Sequence, residues 1–327
     1  MSFRVLLAHT GEMFAGYYGD RALAELTRHA TVVRNATGAV LTGRALAEAA
    51  AGCDAIIADR ATPGLAETFA QAPELLSFHR CAVDISTIDV DAASAAGVLV
   101  TRATPGFVDA VAELGIGLIV DLARGITDAA GTYRAGTTPE GRMGLQLSQA
   151  TLGIVGHGRI GRRLAEIARA IGMRVLVSDP AAPDGLPLPA LLAQSEIVVC
   201  LAPAIPETEN LFGAAAFAGM KRGAYFVNLA RGQLVDDAAL EAALDSRHLA
   251  GAALDVGRAQ DQRPALRLAQ RRDVIATPHI AGLTREAAEH QAMDTVRQVA
   301  ALAAGRWPEG AVNPEAARRL AAKGIRP

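Results

Sequence analysis

The chain has 327 residues, of which 51% are hydrophobic and 20% charged, and its formal net charge at pH 7 is -2. This length allows two domains with cores of ordinary size, and the small net charge gives no electrostatic reason to expect binding to nucleic acid or an anionic membrane. Because no apolar run is long enough to span a membrane and the run before His9 is too short for a signal peptide, we expect a cytoplasmic protein.

The three cysteines, Cys53, Cys81 and Cys200, are far apart and form no C-x-x-C pair. This spacing predicts neither a disulfide framework nor a zinc site. Histidine and acidic residues do not cluster at the spacing of metal ligands either, so we predict no bound metal.

In the first hundred residues, short apolar strands alternate with alanine-rich helices. Strands are predicted at 3–8, 31–33, 55–58, 75–78 and 98–101, and helices through Leu23 and Leu26, at 45–50 and at 65–70. This alternation predicts a parallel sheet with helices on both faces. Because it contains no glycine-rich phosphate loop, we predict that it forms a separate small domain.

A long apolar helix is predicted over 107–124, followed by a polar, glycine-bearing connection over 131–149. The helix is hydrophobic over most of its surface, so a second domain or another subunit should cover it. Strands then follow at 197–201, 224–228, 252–255 and 274–276, and an amphipathic helix at 285–304. The chain is therefore predicted to have an α/β fold.

The clearest ligand signature is a glycine motif between two predicted strands. An apolar strand over 152–155 leads into G-H-G-R-I-G, which opens a helix. In a dinucleotide-binding loop the first glycine permits a tight turn, the second lets a pyrophosphate approach and the third lets helix and strand pack closely. The residues predicted to bind the cofactor are Gly156, His157, Gly158, Arg159, Ile160 and Gly161. The alternative is a glycine turn that only packs a helix.

Asp179 ends the next predicted strand, 18 residues after Gly161. A carboxylate at this point can accept hydrogen bonds from both ribose hydroxyls of the adenosine half, and it would repel a 2′-phosphate. No Arg or Lys follows in residues 180–183 to bind such a phosphate. We therefore predict NAD as the cofactor.

Three later motifs, V-N-L-A-R-G at 227–232, G-A-A-L-D-V at 251–256 and A-T-P-H-I-A-G at 276–282, complete a characteristic series. With the glycine loop, M-K-R-G at 220–223 and V-N-P-E at 312–315, the chain resembles the D-isomer-specific 2-hydroxyacid dehydrogenases over nearly its whole length. The resemblance implies two doubly wound parallel-sheet domains: a Rossmann NAD domain, 101–284, inserted in a flavodoxin-like substrate domain, 1–100 plus 285–327. It also implies a homodimer, with the helix that begins near Phe107 in the interface.

The resemblance also implies roles for individual residues. Arg231 would hold the carboxylate and carbonyl of a 2-oxo acid, which suits a planar and permanently charged guanidinium. His279 would give a proton to the carbonyl oxygen while the nicotinamide delivers hydride. Asp255 would hold the nicotinamide carboxamide, and Pro203 and Ala230 would contact the cofactor.

The chain departs from the family pattern next to the catalytic histidine. The glutamate that pairs with this histidine is expected five residues after Asp255, where this sequence has Gln260. Glutamine can orient an imidazole but cannot stabilise imidazolium by charge. Asp261, the next residue, is an alternative source of that charge.

The substrate loop departs as well. Ala82, Val83 and Asp84 replace a glycine-rich turn that holds the substrate carboxylate, and Phe107 replaces an asparagine. At close range, the Asp84 carboxylate would repel a substrate carboxylate by roughly 1–4 kcal/mol. We therefore predict an atypical substrate, with a larger apolar substituent opposite Phe107, or lost catalysis.

Three functions are compatible with these features. The first is NAD-dependent interconversion of a 2-oxo acid and a D-2-hydroxy acid. The second resembles the formate dehydrogenases of the same family, which place a glutamine beside the histidine because hydride leaving formate needs no proton acceptor. The third is a non-catalytic NAD-sensing dimer similar to the C-terminal binding protein corepressors. The presence of Arg231 and His279 favours chemistry over sensing.

Overall fold

The computed structural model describes residues 3–327, and strands alternate with helices along most of this range. The strands are β1 (Arg4–Leu7), β2 (Thr31–Arg34), β3 (Ala55–Ala58), β4 (Ser77–Arg80), β5 (Leu99–Arg102), β6 (Thr151–Val155), β7 (Arg174–Ser178), β8 (Ile197–Cys200), β9 (Ala224–Asn228), β10 (Leu249–Leu254) and β11 (Val274–Ala276). The strands lie within about three residues of their predicted positions.

Helices of very different length connect these strands. They are α1 (Gly11–Tyr17), α2 (Gly19–Leu26), α3 (Gly43–Ala49), α4 (Ala66–Gln71), α5 (Val90–Ala96), α6 (Val108–Arg124), α7 (Ile126–Arg134), α8 (Arg159–Ile171), α9 (Leu188–Leu192), α10 (Ala214–Gly219), α11 (Asp237–Asp245), α12 (Leu266–Ala269), α13 (Arg285–Ala303) and α14 (Arg318–Ala322). The polar connection predicted over 131–149 starts inside α7, so its first residues are helical rather than irregular. No helix of the described range is long and apolar enough to cross a membrane.

The chain divides into two compact units. One contains the residues up to Phe107 and from Thr284 onward, and the other runs from Val108 to Leu283. The boundary expected from sequence at residue 100 falls inside β5, which the first unit contains entirely. Each unit has its own parallel sheet, which confirms the predicted α/β class.

The sheet of the first unit has the strand order β2-β1-β3-β4-β5 within the described residues. Neighbouring residues of β1 alternate between its two faces, so Leu6 and Leu7 enter different cores. Leu6 packs with side chains of α3, α4 and α5, and Leu7 packs with those of α1, α2 and α13. Because both faces are covered by helices, this sheet is doubly wound.

The sheet of the second unit has the order β11-β10-β9-β8-β6-β7 in the described part of the chain. One face is covered by α9, α10 and α11, and α6 and α8 pack together against the other side of the unit. At Gly115 of α6 an added Cβ would lie 3.0 Å from Leu229 Cδ1 and 3.5 Å from Leu164 Cδ1. The apolar α6 therefore buries one face within its own unit.

All strands of the second sheet are parallel, so their carboxyl ends lie at one edge. From β6 the sheet grows to β7 on one side and to β8 on the other. In open α/β sheets, ligands bind outside the carboxyl ends of the strands at such a reversal of order. The fold therefore predicts a ligand site beyond the carboxyl end of β6.

Candidate active site

The glycine loop follows β6 at this edge and has the geometry of a phosphate cradle. Gly156 has φ +100°, and an added Cβ would lie 2.5 Å from the backbone N of Ala202. At Gly161 an added Cβ would lie 2.2 Å from the carbonyl oxygen of Gly156. Gly158, which caps α8, has open space on that side instead, so a ligand can approach its backbone closely.

In the region of this loop, the side chains of Asp179 and His157 have shifted pKa values. Oδ2 of Asp179 accepts a hydrogen bond from the backbone N–H of His157, and Oδ1 accepts one from Ala181 N at 2.8 Å. These two bonds, the first above all, hold the pKa of Asp179 below its usual range. Partial burial, followed by the charges of Arg162 and Arg169, lowers the pKa of His157. At neutral pH the loop therefore combines an ionised carboxylate with a neutral imidazole.

The next two residues assigned to the cofactor follow β8 and β9. Pro203 is exposed, and its carbonyl oxygen accepts a hydrogen bond from Thr208 Oγ1 at 2.7 Å. Ala230 is buried, and its backbone N–H donates to Asn228 Oδ1 at 3.0 Å. Both residues lie beyond strand ends on the edge that carries the glycine loop.

Arg231 lies three residues after the end of β9 and is exposed. Its Nη1 donates to the carbonyl of Ala230 at 2.7 Å and, among the described residues, its guanidinium forms no ion pair with a carboxylate. The following turn lies against the loop after β10, since a Cβ added at Gly232 would be 2.0 Å from the carbonyl carbon of Gly257. The guanidinium is thus available for an anionic ligand, on a turn that packs closely against the loop after β10.

His279 lies three residues after the end of β11 and is half-buried. Its φ is +58°, in the left-handed region that residues other than glycine rarely occupy. Its backbone N–H donates to the carbonyl of Thr277 at 3.0 Å. Such backbone strain persists only where the surroundings enforce it, and it is frequent at functional sites.

Asp255 directly follows β10, between the strands that lead to Arg231 and His279, and it is fully buried. Its Oδ1 accepts hydrogen bonds from Thr277 Oγ1 at 2.6 Å and Ile280 N at 2.8 Å. Its Oδ2 accepts one from Ala281 N at 2.9 Å. The carboxylate therefore binds the loop of His279, a role that the sequence motif did not reveal.

Gln260 lies in the loop after β10 and is exposed. The neighbouring Asp261 accepts a hydrogen bond from Arg263 N at 3.1 Å, and its Oδ2 lies 3.5 Å from Arg263 Nε. Asp261 is thus engaged within its own loop, which gives no support to the idea that it replaces the missing glutamate. A contact between Gln260 and His279 stays a prediction.

A further arginine of this loop was missed by sequence reasoning. Arg258 Nε donates to the carbonyl of Val235 at 2.9 Å, Nη2 to that of Gln233 at 2.9 Å, and Nη1 to Glu209 Oε1 at 2.8 Å. One guanidinium thus joins the loops that follow β8, β9 and β10. No local motif marks this residue, because its partners are 23 or more positions away.

Of the residues in the first unit that are predicted to contact substrate, Ala82, Val83 and Asp84 follow β4, and Phe107 follows β5. Ala82 is buried, Val83 is partly buried and Phe107 is partly buried at the end of the unit. Asp84 is exposed, and its Oδ2 lies 3.4 Å from Arg60 Nη2.

The carboxylate of Asp84 has two guanidinium groups near it. Partial burial would raise the pKa of Asp84, but hydrogen bonds from Ser86 and the charges of Arg60 and Arg80 outweigh it and lower that pKa. The Asp84 carboxylate is therefore stabilised in its charged form by its own neighbours, Ser86, Arg60 and Arg80. In the described range, no group of three or more His, Cys, Asp or Glu side chains is arranged to hold a metal ion.

Comparison with known proteins gives a consistent result. The family model described as D-isomer specific 2-hydroxyacid dehydrogenase, NAD binding domain, matches residues 116–281. The chain is 35% identical to an (S)-sulfolactate dehydrogenase of Chromohalobacter salexigens over 88% of this chain and 96% of the relative. It is 36% identical to a D-3-phosphoglycerate dehydrogenase of Mycobacterium bovis over 80% of this chain, and it spans about half of that longer protein, 51%.

A solved structure shows the same similarity in three dimensions. The D-lactate dehydrogenase with NAD+ from Lactobacillus jensenii superposes with a TM-score of 0.81 and 25% identity, over 95% of this chain and 99% of the other. The match extends over nearly the whole of both chains, so it includes both parallel sheets.

Proposed function

The chain belongs to the D-isomer-specific 2-hydroxyacid dehydrogenase family, and we propose that it interconverts a 2-oxo acid and a D-2-hydroxy acid of atypical structure with NAD as hydride carrier. One observation above all supports this proposal. Arg231 and His279 follow β9 and β11, which flank β10, at the edge of the sheet that also carries the glycine loop.

In this proposal the two residues divide the chemistry of carbonyl reduction. NADH supplies the hydride, which is added to C2 of the acid. Arg231 binds the carboxylate of the acid through its guanidinium, which is planar and always charged. His279 gives a proton to the oxygen at C2, so that one hydride and one proton convert the carbonyl to a hydroxyl. In oxidation His279 accepts that proton.

We further propose that Gln260 orients the imidazole of His279 without adding charge. Asp255, whose Oδ2 accepts a hydrogen bond from Ala281 N, is proposed to hold the nicotinamide carboxamide as well. Pro203 and Ala230 are proposed as further cofactor contacts.

Ala82, Val83, Asp84, Phe107 and Arg231 are each proposed as substrate contacts. A panel of 2-oxo acids reduced with NADH would identify the acid. The panel should contain glyoxylate, pyruvate, hydroxypyruvate, phenylpyruvate, sulfopyruvate and 3-phosphohydroxypyruvate. The last two are the oxidised forms of the acids named for the sulfolactate and phosphoglycerate relatives. We expect the first three to be poor substrates.

Arg231→Ala provides the direct test of the proposed function. Loss of a charge-assisted pair with the substrate typically costs 2–5 kcal/mol, so kcat/KM should fall by about 30-fold to several thousand-fold. The Kd of NADH, measured by fluorescence titration, should stay close to that of the wild type. Arg231→Lys is the matched control, which keeps the charge but not the bidentate geometry. Unchanged turnover in Arg231→Ala would contradict the proposal.

Gln260 specifically favours one second candidate, hydride transfer from formate. Formate oxidation releases CO2 and needs no base, so a histidine next to glutamine suffices. NAD+ reduction with formate, in the absence of activity on the panel, would support this candidate. NADH binding without turnover of any of these compounds would support a non-catalytic sensor instead.

We also propose that the protein is a cytoplasmic homodimer. Besides the outer side of α6, the second unit exposes Ile126, Tyr133 and Met143 on α7 and the segment that follows it. Contiguous exposed apolar surface marks contact sites between subunits, and we propose that these side chains form part of one. Light scattering on the purified chain tests the dimer, and a mass of one chain at micromolar concentration would contradict it.

A further inference from the structure

The loop that carries His279 has support from the sheet on one side only. It leaves β11, a strand of three residues at the end of the sheet that pairs with β10 alone in the described residues. The loop must nevertheless hold His279 at a φ of +58°, which is unfavourable for a residue with a Cβ. Something outside the strand must therefore fix its conformation.

Asp255 supplies that restraint. Its three hydrogen bonds come from Thr277 Oγ1, Ile280 N and Ala281 N, which lie on both sides of His279 in sequence. The side chain is fully buried, so water does not compete for these bonds. Hydrogen bonds to an ionised acceptor are stronger than those between neutral groups.

The neighbouring strand ends with a similar arrangement. Asn228, the last residue of β9, is almost fully buried. Its Nδ2 donates to the carbonyl of Arg231 at 2.9 Å, and its Oδ1 accepts from Ala230 N at 3.0 Å. The backbone joins the two residues, because Asp255 N donates to the carbonyl of Asn228 at 3.1 Å. Each of these two adjacent strands thus has a buried polar side chain, the last residue of β9 and the first residue after β10, that holds a loop with a proposed catalytic residue.

We propose that Asp255 is a positioning residue for His279, and that Asn228 is a positioning residue for Arg231. The inference rests on the function proposed above, since it takes the catalytic roles of His279 and Arg231 from there. It adds to Asp255 a role that is separate from any contact with nicotinamide. A displacement of about 1 Å at a catalytic group can cost about 100-fold in rate, so the two restraints act on catalysis without touching the substrate.

Asp255→Asn tests the first half of the proposal. The amide keeps one acceptor oxygen. Its NH2 group then faces an N–H donor, which is Ala281 N in one orientation of the amide and Ile280 N in the other. The loop should shift, and kcat should fall by about 10- to 100-fold with the most active acid of the panel. The variant is assayed with NADH and with the 3-acetylpyridine analogue of NADH, whose acetyl group has no amide N–H.

The two cofactors separate positioning from cofactor contact. If Asp255 acts on the loop, the loss in kcat caused by Asp255→Asn is the same with both cofactors within about threefold. If it acts only through the carboxamide, the loss appears with NADH and disappears with the analogue. The second result would overturn the proposal.

A measurement without turnover separates this inference from the proposed function. The Cε1–H signals of the seven histidines are recorded by NMR in labelled protein, and His279 is assigned with His279→Gln. Asp255→Asn should shift or split the His279 signal and leave that of His157, in the glycine loop, in place. An unchanged His279 signal would overturn the proposal even if the enzyme turns over a 2-oxo acid. A shifted signal would support it even if the panel shows no activity.

Thr277 provides a milder variant in case Asp255→Asn does not fold. Thr277→Val removes only the hydroxyl that donates to Asp255 Oδ1 and keeps the shape of the side chain. It should shift the His279 signal, and Thr277→Ser, which retains the hydroxyl, should restore it. The same position of the His279 signal in wild type, Thr277→Val and Thr277→Ser would contradict the proposal.

Asn228→Asp tests the second half. The new carboxylate still accepts from Ala230 N but no longer donates to the carbonyl of Arg231. Because Arg231 is proposed to bind the acid, KM for the acid should rise about tenfold or more, with a smaller change in kcat and no shift of the His279 signal. A fall in kcat without a change in KM would contradict the assignment of Asn228 to Arg231.

Discussion

At the scale of single residues, Asp179 has a structural role in addition to the choice of cofactor that the sequence predicts. Its carboxylate accepts hydrogen bonds from the N–H groups of His157 and Ala181, so it joins the glycine loop to the end of β7. Its negative charge is also the expected basis for choosing NAD over NADP. The two tasks can be separated by substitution.

We expect the wild-type protein to bind NADH more tightly than NADPH, because the Asp179 carboxylate would repel a 2′-phosphate. Asp179→Asn retains an acceptor for one N–H group and removes the charge, so it should bring the two Kd values closer together. Asp179→Ala also releases the glycine loop and should weaken binding of both cofactors. Isothermal titration measures the six Kd values, those of wild type and the two variants for each cofactor. Equal affinity of the wild type for the two cofactors would refute the assignment.

Gln260 leads to a prediction about pH. If a carboxylate normally stabilises the imidazolium, its absence means that the acid form of His279 is lost at lower pH. Carbonyl reduction, which needs the acid form, should then be confined to more acidic conditions. Oxidation of the hydroxy acid, which needs the neutral imidazole as a base, should persist toward lower pH.

Gln260→Glu should move both pH limits upward, by about one unit or more if the new carboxylate reaches the ring. The measurement is kcat/KM against pH in both directions for wild type and variant. Gln260→Met, which has neither charge nor amide, is the control for effects of the loop alone. Superimposable profiles of wild type and Gln260→Glu would show that residue 260 does not contact His279.

At the scale of elements, two glycines of the glycine loop are needed for different reasons, Gly161 for packing and Gly158 for binding of the cofactor. A Cβ at Gly161 would collide with the backbone of Gly156, whereas a Cβ at Gly158 would point into open space. Gly161→Ala should therefore force α8 away from β6 and lower the melting temperature. Gly158→Ala should leave the melting temperature close to that of the wild type and abolish NADH binding, because the methyl group occupies the approach of the pyrophosphate. Thermal unfolding and NADH titration of both variants test this, and equal effects on stability would contradict it.

Sequence reasoning succeeded for elements whose signal is local. The strand β8 and the turn at Gly156 can be predicted because apolar runs and glycine spacing are features of neighbouring residues. The hydrogen bond from Thr277 to Asp255 could not be predicted, because the two residues are 22 positions apart and come together only when β10 and β11 pair. A buried strand that ends in a polar residue, as β9 does at Asn228, is the sequence signal for such long-range hydrogen bonds.

At the scale of the whole molecule, each unit carries polar groups inside its own core. In the first unit His79 is fully buried, with Nδ1 at 2.7 Å from Thr101 Oγ1 and 3.2 Å from Gln298 Oε1. Nε2 lies 2.9 Å from Ser77 Oγ. This network joins β4 and β5 to α13, so it ties the C-terminal part of the chain to a sheet formed by the N-terminal part.

Burial lowers the pKa of His79 from 6.5 to about 4, while the hydrogen bond to Gln298 partly opposes that shift. In the unfolded chain the same imidazole is exposed and binds a proton below its ordinary pKa of about 6.5. The unfolded state therefore binds more protons than the folded state between these two values. The contribution of His79 to stability is complete above pH 6.5 and is lost as the pH falls toward 4.

Acid should therefore destabilise the first unit through His79. Between pH 7 and pH 4.5 the free energy of unfolding should fall by about 2 to 3 kcal/mol from this residue alone. His79→Gln can still hydrogen-bond within the network and has no titrating group, so its loss between the two pH values should be smaller by that amount. The measurement is urea unfolding at both pH values, and His248→Gln in the second unit is the control. A decline with acid that is equal in wild type and His79→Gln would show that protonation of His79 does not limit stability.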